Sequence, residues 1–276
     1  MLVPPFPFRR AGAATHRITI HPLMPASVVV AAAFALAPWP LEQKAHAVLH
    51  GLCTQRPSHS LLFDGRALPF DARMTGIYAG FLIASLYLLA RGRIRAQQLP
   101  SIPVMAMGAF FVGAMAIDGA NSFLVDAGIG PLYQPANWLR LLTGLLTGTV
   151  LAPIVVYLLA TTLWRPARDR VSVLQSGGEL VLMALLTGPL ALLLLAGASW
   201  LFVPMTVLLI VAALLMVTAI MLVAVVLVRH GDGAFSDPDQ VRWPSVAAFV
   251  LALVLLAILG SGRFLLERLA DAPALT

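Results

Sequence analysis

Long apolar runs, separated by short segments that carry arginine, recur from residue 74 to residue 262 and constrain the fold more than any other feature. A helix of roughly 20 apolar residues crosses about 30 Å of hydrocarbon, and in lipid the backbone must satisfy its own hydrogen bonds through helices or a closed barrel. The runs lack the alternation of apolar and polar residues that barrel strands show, so helices are predicted. The chain is 60% hydrophobic and only 11% charged, whereas about a quarter of the residues in a soluble domain are charged. The predicted fold class is all-α: a polytopic transmembrane helix bundle of about seven spans, six if the first run does not span, plus an interfacial amphipathic helix.

Residues 1–22 carry Arg9, Arg10 and Arg17 among four prolines and read as a basic cytoplasmic tail. Residues 23–164 read as a four-span domain, 165–178 as a cytoplasmic linker, and 179–276 as a three-span apolar extension. The first apolar run, 23–38, resembles a signal peptide in its basic flank and its Ala35-Leu36-Ala37 end, but Pro38 would hinder cleavage there, so a retained helix is expected. Residues 41–53 place Leu41, Ala45, Val48, Leu49 and Leu52 on one side at helical spacing, opposite Glu42, Gln43, His46, His50 and Cys53, a pattern suited to the membrane surface. A polar loop, 54–73, leads into the second span, 74–90; further spans are expected at 102–124, 138–164, 179–200, 203–228 and 243–262. Gly188-Pro189 predicts a bend in the fifth span and Pro153 a kink in the fourth. Glu179, at the start of the fifth, suits a helix cap. Asp232, Asp237 and Asp239 with Pro238 predict a cytoplasmic turn.

The formal charge of +6 does not point to nucleic acid, because the basic residues sit in short clusters between apolar runs, where they orient helices. With the first run crossing, eleven of the 18 Lys and Arg fall on the side of the amino terminus and seven opposite. The positive-inside rule then predicts a bacterial cytoplasmic membrane protein with a cytoplasmic amino terminus. The expected partners are the lipid bilayer and other membrane-protein subunits. One cysteine permits no internal disulfide.

On this topology the polar residues of spans two to four gather at the outer boundary: Arg73, Thr75, Tyr78, Asp118, Asn121, Asn137, Arg140 and Thr143. Ionisable groups at the hydrocarbon edge need partners, and Arg140 with Asp118 is the expected pair. Gly76 and Gly80, and Gly144 and Gly148, are GxxxG steps that let helix backbones approach closely. His46, His50 and Cys53 at i, i+4 and i+7 share one helical face, and with Asp71 they have ligand chemistry for zinc. Histidine and cysteine on an interfacial helix need no metal, however, and no cofactor is favoured. Neither a serine elbow, an HExxH pair, a phosphate loop nor a dinucleotide fingerprint is present. No residue is therefore assigned a catalytic role.

The order and spacing of these residues resemble an uncharacterised family of prokaryotic membrane proteins, a domain of unknown function. Its signature reads Cys-His-Gln-x-Pro-x-x-Ser, then Leu-Pro-x-Cys-x-Arg-Cys-Thr-Gly-Ile-Tyr, then Asp-Gly and Asn-x-Leu-Arg-x-x-Thr-Gly. The matching positions are Cys53, Gln55, Pro57 and Ser60; Leu68, Pro69, Arg73, Thr75, Gly76, Ile77 and Tyr78; Asp118 and Gly119; and Asn137, Leu139, Arg140, Thr143 and Gly144. The family's histidine falls at Thr54 and its later cysteines at Asp71 and Met74. A three-cysteine, one-histidine centre is thus implied for the family and reduced here to Cys53.

The leading functional expectation is a non-catalytic subunit or accessory factor of a membrane complex. The alternatives are a metal-dependent or redox membrane enzyme and a small-solute transporter; the absence of an internal repeat weighs against transport.

Overall fold

The structure, a computed structural model, describes residues 22–166, 171–229, 231 and 233–271. The basic tail, Arg168, Arg170 and Asp232 lie outside the described residues. Six helical segments among the described residues are long and apolar enough to cross a bilayer. They are α3 (Ala72–Ala90), α4 (Ile102–Asp126), α5 (Asn137–Leu163), the broken α6 (Gly177–Leu186) and α7 (Gly188–Leu195), α8 (Phe202–Val228) and α9 (Arg242–Asp271). The first run forms α1 (Leu23–Leu36), whose 14 residues rise about 21 Å, short of a full crossing. Among the described residues, the six-span alternative is therefore the one observed. Lys44, on α2 (Leu41–Leu49), donates from Nζ to the carbonyls of Phe34, Ala35 and Ala37 at 2.9–3.2 Å. It thereby satisfies acceptors that the end of α1 leaves open.

The segment expected as a polar loop contains a β-hairpin. Strand β1 (Ser60–Phe63) pairs antiparallel with β2 (Arg66–Asp71). Asp64 and Gly65 both adopt positive φ, 49° and 78°, as a two-residue type I′ turn requires. Leu61, Phe63, Leu68 and Phe70 are buried while Leu62 is exposed, so the hairpin packs its apolar face inward. The Arg66 guanidinium sits over the Phe202 ring, 4.4 Å from its centroid, docking the hairpin on α8. Asp71 then caps α3 by accepting the Met74 N–H at 2.8 Å, which starts the helix two residues before the expected span.

α3 and α5 run parallel, with α4 returning between them in sequence. A Cβ on Gly76 would meet the Leu141 carbonyl and, at 2.7 Å, the Leu145 nitrogen; one on Gly148 would meet the Ile77 carbonyl and, at 2.6 Å, the Phe81 nitrogen. The two glycine steps therefore form one interface in which backbone touches backbone. α5 continues through Pro153 without interruption. Around one end of this pair, Leu49, Phe63, Leu68, Phe70, Leu141 and Leu209 form a buried core joining α2, the hairpin, α5 and α8.

At the opposite end, Gln97 Nε2 donates to the carbonyls of Ala160, Trp164 and Arg165, closing the exit of α5. Ser176, rather than the expected Glu179, caps α6 by accepting the Glu179 N–H at 3.4 Å; the Glu179 carboxylate accepts the Gln175 N–H at 2.7 Å and lies 3.5 Å from Arg93 and 3.7 Å from Arg91, tying the start of α6 to the end of α3. The helix breaks at Thr187, beside the expected bend, because Pro189 has no N–H to continue the ladder. Asp237 caps a short helical turn in the α8–α9 connection by accepting the Asp239 N–H. α9 extends to Asp271, well beyond the expected end at 262.

Candidate functional site

The ends of α3, α4 and α5 that carry the sequence motifs meet on one face of the bundle, the motif face. Asp118 is almost fully buried, 1% exposed, so its charge needs a partner in place. Arg73 supplies it from α3, with NH2 2.5 Å from Oδ2, and Tyr133 donates its hydroxyl to Oδ1 at 3.0 Å. Ser122, one turn beyond Asp118, donates to the Asp118 carbonyl at 3.0 Å; its oxygen accepts from Arg73 NH2 at 3.1 Å and from Arg140 Nε and NH2 at 3.4 Å. Arg140 also donates from NH1 to Asn137 Oδ1 at 2.7 Å. The Asn137 amide donates in turn to the Ser60 and Ser58 carbonyls, linking α5 to the hairpin.

The expected Arg140–Asp118 pair is therefore corrected: Arg73 holds the carboxylate, and Arg140 reaches the same centre through Ser122. The glycine seam explains the choice, because it presses the backbone of Arg73 against Gly144 and sets the guanidinium toward α4. Asn121 has a different role from the one expected. Its side chain accepts the Leu132 and Tyr133 N–H groups at 2.7 and 3.4 Å and donates to the Tyr133 carbonyl at 2.9 Å, pinning the loop that delivers Tyr133.

Thr75, Tyr78 and Thr143 lie outside the cluster. Thr75 donates to the Phe70 carbonyl, Tyr78 stacks on Phe70 at 4.7 Å within the apolar core, and Thr143 bonds back to Leu139 in its own helix. At the rim, Arg56 pairs with Asp126, and His59 lies 3.8 Å from the same carboxylate. Burial, then the positive charge of Arg140, pushes the His59 pKa down. Burial and the hydrogen bond to Asp118 push the Tyr133 hydroxyl up. Ser122 and Tyr133 were not among the expected residues, although the spacing of Ser122 four residues after Asp118 is a readable signal.

The candidate metal set is separated by the fold. α2 stops at Leu49, where Gly51 meets Leu259 and Gly260 of α9, so Cys53 leaves the helical face it was expected to share with His46 and His50. The Cys53 sulfur accepts the Gln55 and Asp71 N–H groups at 3.4 Å; burial, then the charge of Asp71, pushes the thiol up to about 11. His50 is buried, with both ring nitrogens engaged: Nδ1 by Gln55 at 2.9 Å and Nε2 by Glu267 at 2.8 Å. Asp71 is occupied as the α3 cap. Among the described residues, no group of three or more His, Cys, Asp and Glu is placed to hold a metal ion. Arg263 and Glu267 were missed because the last span was read as ending before them; their i, i+4 spacing was the available signal.

Six crossing segments and a buried ionic cluster at one membrane face define a polytopic helical membrane protein. Residues 53–154, from Cys53 to the middle of α5, match the family model described as a predicted membrane protein (DUF2085), in line with the resemblance read from the residues. No curated protein and no solved structure matches the chain.

Proposed function

We propose that this protein is a non-catalytic subunit or accessory factor of a bacterial cytoplasmic-membrane assembly. In this reading the Arg73–Asp118–Ser122–Arg140–Asn137 cluster is a structural lock that holds the hairpin and the α4–α5 loop in fixed positions. The observation that carries the reading is where these side chains point: toward one another and toward backbone carbonyls. A catalytic or transport site needs groups aimed at a substrate path. The outward flank of α4, with Phe110, Ile117 and Phe123 exposed, supplies apolar surface for a neighbouring subunit.

The test is mild-detergent purification of the full chain from its native membrane, with mass spectrometry of what stays bound. A stoichiometric membrane partner, released by Phe110→Ala with Ile117→Ala while the chain remains folded, supports the reading. A lone chain with stoichiometric metal that Cys53→Ala abolishes overturns it in favour of an enzyme. Solute uptake stopped by Asp118→Asn in a folded protein overturns it in favour of a transporter.

A further inference from the structure

Gln55 fixes the hydrogen count at His50. Its amide nitrogen donates to the carbonyls of His46 and Pro69 at 3.0 and 2.9 Å, which turns its amide oxygen toward His50 Nδ1 at 2.9 Å. An amide oxygen only accepts, so Nδ1 must carry a hydrogen. The other ring nitrogen, Nε2, lies 2.8 Å from Glu267 Oε2. A neutral imidazole protonated at Nδ1 presents a bare lone pair at Nε2, and an ionised carboxylate also only accepts. The contact therefore needs one more proton than the two neutral-pH groups carry when imidazole is uncharged.

We infer that His50 and Glu267 together form a binding site for a single exchangeable proton, and that this proton fastens the end of α9 to residues 50–55 at the motif face. The site is built from several elements. From α9, Arg263 donates to Glu267 Oε1 at 2.8 Å, to the carbonyls of His50 and Thr54 at 2.8 and 2.9 Å, and to the carbonyl of Cys53; Phe264 stacks on the imidazole at 4.0 Å. From the segment after α2, Cys53 faces the site as a neutral thiol, and His46 contributes its carbonyl. From β2, Asp71 borders Cys53 with its carboxylate bound to the Met74 N–H. Gln55 itself holds a left-handed φ of 53°, a strained geometry for a non-glycine residue that persists because its amide is held at three points.

When the proton passes to water, only the N–H or O–H bond that carried it breaks. Two acceptors then face each other, and the α9 contact weakens. The contact is complete while the proton is bound and is lost once it leaves. This inference does not rest on the subunit reading.

The test uses the full chain in mild detergent and follows amide hydrogen exchange at residues 50–55, corrected for its intrinsic pH dependence. Wild type is expected to exchange about tenfold faster at the alkaline end of a pH series than at its acid end, the loss of one charge-assisted hydrogen bond. In Glu267→Gln the carboxamide donates to the bare Nε2 without an added proton, so exchange is expected to change by less than about twofold. The same pH dependence in both proteins, or none in wild type, overturns the inference. If Glu267→Gln does not fold, nitrogen NMR of wild-type His50 decides: Nδ1–H present at both ends of the series with Nε2 losing its proton supports the site, and an Nε2–H tautomer at high pH overturns it.

Discussion

α3 and α5 are joined by a different principle from α8 and α9. About half of each span in the first pair is buried, 50% and 56%, against 33% and 28% in the second, and the first pair touches through backbone at its glycines. α8 and α9 meet through side chains, with Val217 and Leu222 of α8 in the same buried clusters as Ala248, Ala252 and Leu256 of α9. A groove of about 850 Å³ opens between α1, α8 and α9, lined by residues such as Phe34, Ile210 and Phe249. Among the described residues, the buried hydroxyls of Thr206 and Thr218 in α8 meet no hydrogen-bond partner. Apolarity alone places a helix in the bilayer but does not choose its neighbour, since lipid is as apolar as leucine. Glycine steps and paired charges make that choice, and they lie inside the segment matched by the family model.

The sharpest way to break this contrast is Gly148→Val. Its added carbons overlap the Ile77 carbonyl and the Phe81 nitrogen, so a loss of more than ~3 kcal/mol, or no recoverable folded protein, is expected. Gly113→Ala, with nothing within 4 Å of the new carbon, should be neutral or stabilising by up to ~1 kcal/mol. Unfolding in detergent compares the two, and similar losses would remove the distinction.

Asp118→Ala leaves Arg73 without its carboxylate and is expected to destabilise by about 3 kcal/mol. Arg73→Gln should approach that value, whereas Arg140→Gln, which breaks bonds to Asn137 and Ser122 only, should lose about 1–2 kcal/mol. The reverse order would restore Arg140 as the partner of Asp118.

Cys53 provides a pH-dependent probe of the loop above the glycine seam. The folded protein retains the thiol proton to about 11, whereas the unfolded chain releases it near the ordinary 9.0. Stability is therefore unaffected by this group below about pH 9 and falls as pH rises toward about 11, by about 3 kcal/mol in all. Cys53→Ala should abolish that part of the decline in denaturation midpoints measured across the window. The smallest effect is expected in α8: Thr206→Val removes an unpartnered buried hydroxyl and should leave stability unchanged or raise it by up to ~1 kcal/mol. A loss at Thr206 would show that α8 also relies on a polar contact.

The spans were legible because twenty apolar residues in a row have few other uses, and the glycine steps because their spacing is short and local. The level of the polar cluster was legible for the same reason, since Asp118, Asn137 and Arg140 sit at the ends of apolar runs. Which arginine meets Asp118 was not, because helix rotation decides it, and rotation is set by the contact of Gly144 with the backbone of Arg73. The hairpin was readable in Asp64-Gly65 between two apolar stretches, but the surrounding charges gave the segment the look of a loop. The contact of His50 with Glu267 joins residues 217 positions apart, and no local pattern encodes such a meeting.

The parallel pairing of α3 and α5 also sets an order of assembly. The chain is made from its amino end, so α3 enters the bilayer with its glycine face bare until residue 148 has been synthesised. Arg73 is already present when Asp118 arrives 45 residues later, so both partners of the ion pair are in the chain before Gly144 sets their rotation. Gly144, Gly148 and Arg140 then come in on a single helix, closing the seam and delivering the second guanidinium to Ser122 in one docking step. A chain halted after α4 carries both charges of the pair beside an open seam.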